Sequence, residues 1–71
     1  MGQSTKEVPL TPTMGAKRVR KLRHRLDLTQ AELATRIGVD RMTVSRWERG
    51  ESHPSPLSVR AMHNLEEEST T

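Results

Sequence analysis

Three arginines, Arg41, Arg46 and Arg49, share the nine-residue stretch RMTVSRWER with Met42, Thr43 and Ser45. If the stretch is helical, a turn of about 100° per residue gathers Met42, Ser45, Arg46 and Arg49 on one side, with Arg41 and Thr43 at the flanks. Val44, Trp47 and Glu48 gather on the other. One side packs and the other is free to touch a ligand. Guanidinium groups, a hydroxyl and a thioether suit the mixed polar and methyl surface of a DNA major groove.

A second concentration of charge precedes this one. Residues 15–26, GAKRVRKLRHRL, hold six of the twelve Lys and Arg residues and no acid. Val19, Leu22 and Leu26 recur at i, i+3 and i+7, the stripe of an amphipathic helix, and Lys17, Arg18, Arg20, Lys21, His24 and Arg25 cover the rest of its circumference. The bland reading is a solvated basic face; beside a DNA-reading helix, the stronger one is contact with phosphates. Arg23 differs, because it borders the Val19 and Leu26 face and turns partly inward. Glu48 does the same on its own helix. A half-buried charge is tolerated only when paired, so the two are expected to form an ion pair.

Other chemistry finds no support. His24, His53 and His63 lie on different elements without the i, i+4 spacing of a helical metal pair, and there is no cysteine, so no thiolate site, catalytic residue, metal site or cofactor is expected. Trp47 is the only aromatic residue and falls on the packed side of its helix, which argues against the stacking platforms of single-stranded RNA binders.

Local signals fix the elements that hold these residues. Thr29 and Glu32 have the spacing of a capping box, so a helix should begin at Gln30, with Leu33, Ala34 and Ile37 as its apolar stripe and Gly38 as its stop. Asp40 can cap the arginine-bearing helix and Gly50 can close it. Two helices joined by so short a turn must cross steeply, as in a helix-turn-helix. After the loop Glu51–Pro54, Ser55 caps a fourth helix with Pro56 at its first position. Leu57, Ala61 and Leu65 are expected as its inward stripe, which leaves Val59 and Met62 either to seal against the first helix or to form a partner contact. Residues 1–14 are polar, contain Pro9 and Pro12 and show no helical period; they are expected to be a flexible arm, with the domain at 15–68 and a frayed end at 69–71.

The run Thr29-Gln30, Glu32-Leu33-Ala34, Gly38-Val39, Val44-Ser45, Trp47-Glu48 and Gly50 resembles the phage Cro and repressor helix-turn-helix family, also called the Xre family, over roughly residues 16 to 67. The resemblance implies an all-α, four-helix, lambda-repressor-like domain whose second motif helix enters the major groove. It puts base reading on Arg41, Met42, Ser45 and Arg46, and the interhelical salt bridge on Arg23 and Glu48. Arginine pairs bidentately with guanine O6 and N7, which makes Arg41 and Arg46 guanine readers, while Met42 suits a thymine methyl. Gln30 matches a position that holds the DNA backbone; Lys17, Arg18, Lys21, Thr29, Thr43, Arg49 and Ser52 join it as expected phosphate partners. The family domain usually continues into a fifth helix that supports dimerisation, and this chain stops after the fourth.

Length and charge bound the rest. Seventy-one residues make one small domain with a marginal core, and a net charge of +3 weakly favours an anionic partner. Nothing resembles a signal sequence or a membrane span, so a cytoplasmic protein of prokaryotic or phage origin is expected. The chain reads as a sequence-specific regulator of transcription, a repressor by preference, which binds double-stranded DNA as a homodimer. An antitoxin with a toxin partner, or an interaction module that keeps the fold without reading DNA, are the alternatives.

Overall fold

Four helices follow one another in the computed structural model: α1 (Ala16–Arg25), α2 (Gln30–Ile37), α3 (Arg41–Glu48) and α4 (Pro56–Ser69). The described residues are 14–69, and there is no strand among them. The expected arm, apart from Met14, lies outside the described residues.

Three of the four starts are built by the side chain of the residue before the helix. The Thr29 hydroxyl accepts from the Glu32 amide at 3.0 Å while the Glu32 carboxylate accepts from the Thr29 amide at 2.8 Å, the complete capping box. Asp40 Oδ1 accepts from both the amide of Thr43 at 3.1 Å and its hydroxyl at 2.6 Å. Ser55 Oγ accepts from the Ser58 amide at 3.2 Å, with Pro56 at the first helical position. No side chain caps α1, which begins after Gly15.

The first three helices stop in a common way, with one left-handed residue just past the last turn. Gly38 (φ 82°) and Gly50 (φ 76°) supply it after α2 and α3. After α1 the residue is Asp27 (φ 59°), so that the Leu28 amide reaches back to the Arg23 carbonyl and the Asp27 amide to that of His24, the double closure of a Schellman motif. After α3 the Glu51 amide reaches the Arg46 carbonyl and the Gly50 amide that of Trp47 in the same pattern. These stops keep the connections short, and α2 and α3 accordingly pack most extensively on each other.

The core is one cluster. Val19 and Leu22 of α1, Leu33 and Ala34 of α2, Val44 and Trp47 of α3, and Val59 and Met62 of α4 are buried together, with Leu26, Leu28, Ile37, Val39 and Leu65 packed at its edge. Met14, just before the expected boundary, is also buried in this cluster. At the other end Ser69 is still helical, its hydroxyl donating to the Glu66 carbonyl, where fraying was expected; residues 70–71 lie outside the description.

The orientation of α4 corrects the expected stripe. Leu57 is 74% exposed and Ala61 and Leu65 are only half-buried, whereas Val59 and Met62 are sealed in the core. The apolar residues of α4 span an arc wider than the core can cover, with Leu57 on one edge and Val59 on the other. Rotation about the helix axis selects which part is buried. Burial of Val59 and Met62 decides that rotation, and two surface ion pairs accompany it, with Glu66 accepting from Arg18 at 3.1 Å and from Arg25 at 3.0 Å on α1. Val59 and Met62 are therefore unavailable to a partner.

Candidate nucleic-acid interface

Helix α3 is positioned from its inner side. Val44, Trp47 and Glu48 are buried, with Trp47 4% and Glu48 5% exposed. That anchoring turns Arg41, Met42 and Arg46 outward, and Met42 stands 47% exposed although it is apolar. Asp40 and Glu51 flank this outer face; the hydrogen bonds from Arg49 chiefly hold the Glu51 carboxyl below its ordinary range, and the charge of Arg46 adds a smaller pull in the same direction on both groups. For Asp40 the larger causes are the hydrogen bonds from the Thr43 hydroxyl and amide.

Ser45 departs from the expected free side. It is 8% exposed, and its hydroxyl accepts a hydrogen bond from Arg49 Nη1 at 2.9 Å. On the helix it borders Glu48 rather than the middle of the outer face, and so short a side chain cannot reach past the arginine folded over it. Arg49 itself is exposed and also donates to Glu51, at 2.9 and 3.2 Å.

Arg23 and Glu48 form the link between α1 and α3. Arg23 Nε donates to Glu48 Oε2 at 2.6 Å and Nη2 to Oε1 at 3.0 Å, while Nη1 donates to the Leu28 carbonyl at 3.0 Å. Gln30 Nε2 donates to the same Oε1 at 3.1 Å, which draws the Gln30 side chain partly inward. Arg20 Nη2 donates to the backbone carbonyl of Glu48 at 2.7 Å, satisfying an acceptor at the end of α3. Burial pushes the Glu48 carboxyl up, but the hydrogen bonds from Arg23 and Gln30 and the charges of Arg23 and Arg20 outweigh it, leaving the group below its ordinary value. The bond to Glu48 raises Arg23 in turn.

The remaining cations divide by partner. Arg18 and Arg25 are tied to Glu66, whose carboxyl is held down chiefly by the hydrogen bonds from Arg18. Lys17 and Lys21 are exposed on the outer side of α1, where with Arg18, Arg20 and His24 they line a shallow basic depression. Thr29 and Thr43 are committed to their caps, and Ser52 is exposed in the loop after α3. The structure thus places Arg41, Met42 and Arg46 on the outer face of α3 with Arg49 at its end, puts Lys17 and Lys21 on α1, buries Ser45 and leaves Gln30 half-buried. The sequence placed Arg20 only on the basic face, without its bond to Glu48, although its place beside Arg23 on the α1 wheel is a usable signal; Glu51 was given no role, and its loop position offers no signal.

Among the described residues no three His, Asp or Glu side chains converge as a metal site, and no helix is long and apolar enough to cross a membrane. A family model described as helix-turn-helix matches residues 19–65, more than half of the chain, taking in all of α2 and α3. No curated protein matches the chain.

Proposed function

Because the chain belongs to the Xre/Cro-type helix-turn-helix family, a family of DNA-binding regulatory domains, we propose that it represses transcription by reading a specific double-stranded operator with α3 in the major groove. The observation that carries this reading is the outer face of α3, where Arg41, Met42 and Arg46 stand exposed while Trp47 and Glu48 lock the opposite face into the core. Arg41 and Arg46 each have the bidentate fork that guanine O6 and N7 accept, and Met42 offers an apolar contact to a thymine methyl. Ser45 is 8% exposed and accepts a hydrogen bond from Arg49, so its part in the reading set is the most constrained of the four.

Phosphates are held at the periphery. Lys17 and Lys21 are the strongest contacts on α1, since no carboxylate among the described residues pairs with either; Arg18 must first give up Glu66. Thr29, Gln30 and Ser52 lie around the start of α2 and the loop after α3, where amide donors and hydroxyls suit an anion. Thr43 can accept only limited extra work, because its hydroxyl donates to Asp40. One module of this size buries only about 600 to 1,000 Å² on DNA, so two copies on a palindrome, with half-sites about one helical turn apart, supply the affinity.

Selection of bound duplexes from a random pool tests the reading, and a palindromic consensus is the expected result. On the selected duplex Arg46→Ala should cost about 1 to 3 kcal/mol and relax preference at one base pair. Lys21→Ala should weaken binding to all sequences alike and reduce the salt slope by about one unit. Equal affinity for every duplex tried would overturn the proposal.

A further inference from the structure

Arg49 is held from two directions at the point where α3 gives way to the loop. Its Nε and Nη2 donate to the two oxygens of Glu51 at 2.9 and 3.2 Å, and its Nη1 donates to Ser45 Oγ at 2.9 Å. A guanidinium carries five N–H groups in one plane. Three are engaged here, and one is left on each terminal nitrogen, so two donors remain for acceptor atoms outside the protein.

As a contribution to stability this arrangement is worth little, because Arg49 and Glu51 are 52% and 53% exposed and surface pairs are weak. Its effect on orientation is larger. The Ser45 hydroxyl is buried at one end of the chain of contacts, and the carboxylate grips the guanidinium edge at the other, so a long side chain that would otherwise sample many rotamers is fixed in plane and direction. A carboxylate is also an unexpected group beside a surface meant for a polyanion. By charge alone Glu51 opposes DNA binding, which demands a reason for its place next to Arg49 and near Arg46.

We propose that Glu51 and Ser45 are positioning residues for DNA recognition: they hold the Arg49 guanidinium so that its two remaining donors meet acceptor atoms of the duplex, either O6 and N7 of one guanine or two oxygens of one phosphate. The inference rests on the reading of α3 as the groove-entering helix. Ordering a long side chain at an interface costs the equivalent of about two- to tenfold in affinity, and a guanidinium ordered in advance avoids that loss.

The test measures affinity for the duplex recovered by selection and for its single-base-pair variants, using wild type, Glu51→Gln, Ser45→Ala and Arg49→Ala, with the two former also combined with Arg49→Ala. Glu51→Gln removes a negative charge, so electrostatics alone predicts tighter binding, whereas positioning predicts a loss of about two- to tenfold. Ser45→Ala should lose affinity in the same direction, and neither change should cost anything once Arg49 is alanine. A loss confined to duplexes that keep one particular guanine assigns the guanidinium to that base; an equal loss on every duplex assigns it to a phosphate. Equal or tighter binding by Glu51→Gln overturns the inference, as does an undiminished loss in the Arg49→Ala background. Should wild type select no duplex at all, the underlying reading of α3 falls, and this inference with it.

Discussion

Replacing Arg23 by alanine should cost about 2 to 4 kcal/mol of stability. Glu48 is 5% exposed and keeps its charge because Arg23 supplies two hydrogen bonds at 2.6 and 3.0 Å. Breaking a buried ion pair by removing one partner costs about 3 to 5 kcal/mol, since the other charge is left uncompensated. Two features reduce that figure here. Gln30 still donates to Oε1, and Arg20 Nε lies 3.9 Å from the same oxygen. One feature restores part of it, because the Leu28 carbonyl also loses the Arg23 Nη1 donor. In a domain of this size each 1 kcal/mol shifts the melting temperature by about 4 to 8 °C, so a fall of the order of 10 to 25 °C is expected. Urea denaturation followed by Trp47 fluorescence is the natural assay, since that side chain is 4% exposed when folded and should emit to the blue of the unfolded chain. A double-mutant cycle of Arg23→Ala with Glu48→Gln should give a coupling of about 1 to 3 kcal/mol, within the range for residues in one network. A coupling near zero would show that the two side chains do not support one another and would refute the argument.

Asp27→Gly should stabilise the protein by about 0.5 to 1 kcal/mol, because the left-handed conformation strains a residue with a Cβ and glycine is freed of it; a lower melting temperature would contradict this. Gly50→Ala should destabilise by about 1 to 2 kcal/mol for the same backbone reason, since a Cβ there meets no atom within 4 Å. Met62→Ala should cost about 2 to 4 kcal/mol and Leu57→Ala no more than about 0.5, and comparable losses at the two sites would mean that α4 is rotated otherwise than described. Glu48 and Glu66 both have folded-state values below their ordinary ones. They bind protons less readily when folded, so the stability they contribute is complete above the unfolded carboxyl value of about 4.3 and is lost as pH falls through the depressed values. Stability measured from pH 7 downward should stay level to about pH 5 and then decline, with a shallower decline in Glu48→Gln; an unchanged slope in that variant would remove Glu48 from the explanation.

Much of this molecule is written in short-range signals. The capping box at Thr29 and Glu32, the Asp40 and Ser55 caps and the left-handed glycines at 38 and 50 act within four or five residues, so helix limits follow from neighbours along the chain. The outer placement of Arg41, Met42 and Arg46 is legible for a related reason. Val44, Trp47 and Glu48 are unambiguous about which side of α3 faces in, and helical geometry then fixes the rest. Asp27 shows where such signals fail, since its left-handed conformation is imposed by the closure of α1 on Leu28 and no residue type advertises it.

What the sequence determined by itself is therefore the set of helices and the side of α3 that stays clear of the core. Tertiary structure alone decided the rotation of α4, because its apolar arc is broad enough to pack in more than one way and only the core surface offered by the other three helices selects Val59 and Met62. It also decided the fates of Ser45 and Gln30, two polar residues at the edge between inside and outside. A single turn of the wheel leaves such residues undetermined, and only the partners that reach them, Arg49 for the one and Glu48 for the other, settle which way they face.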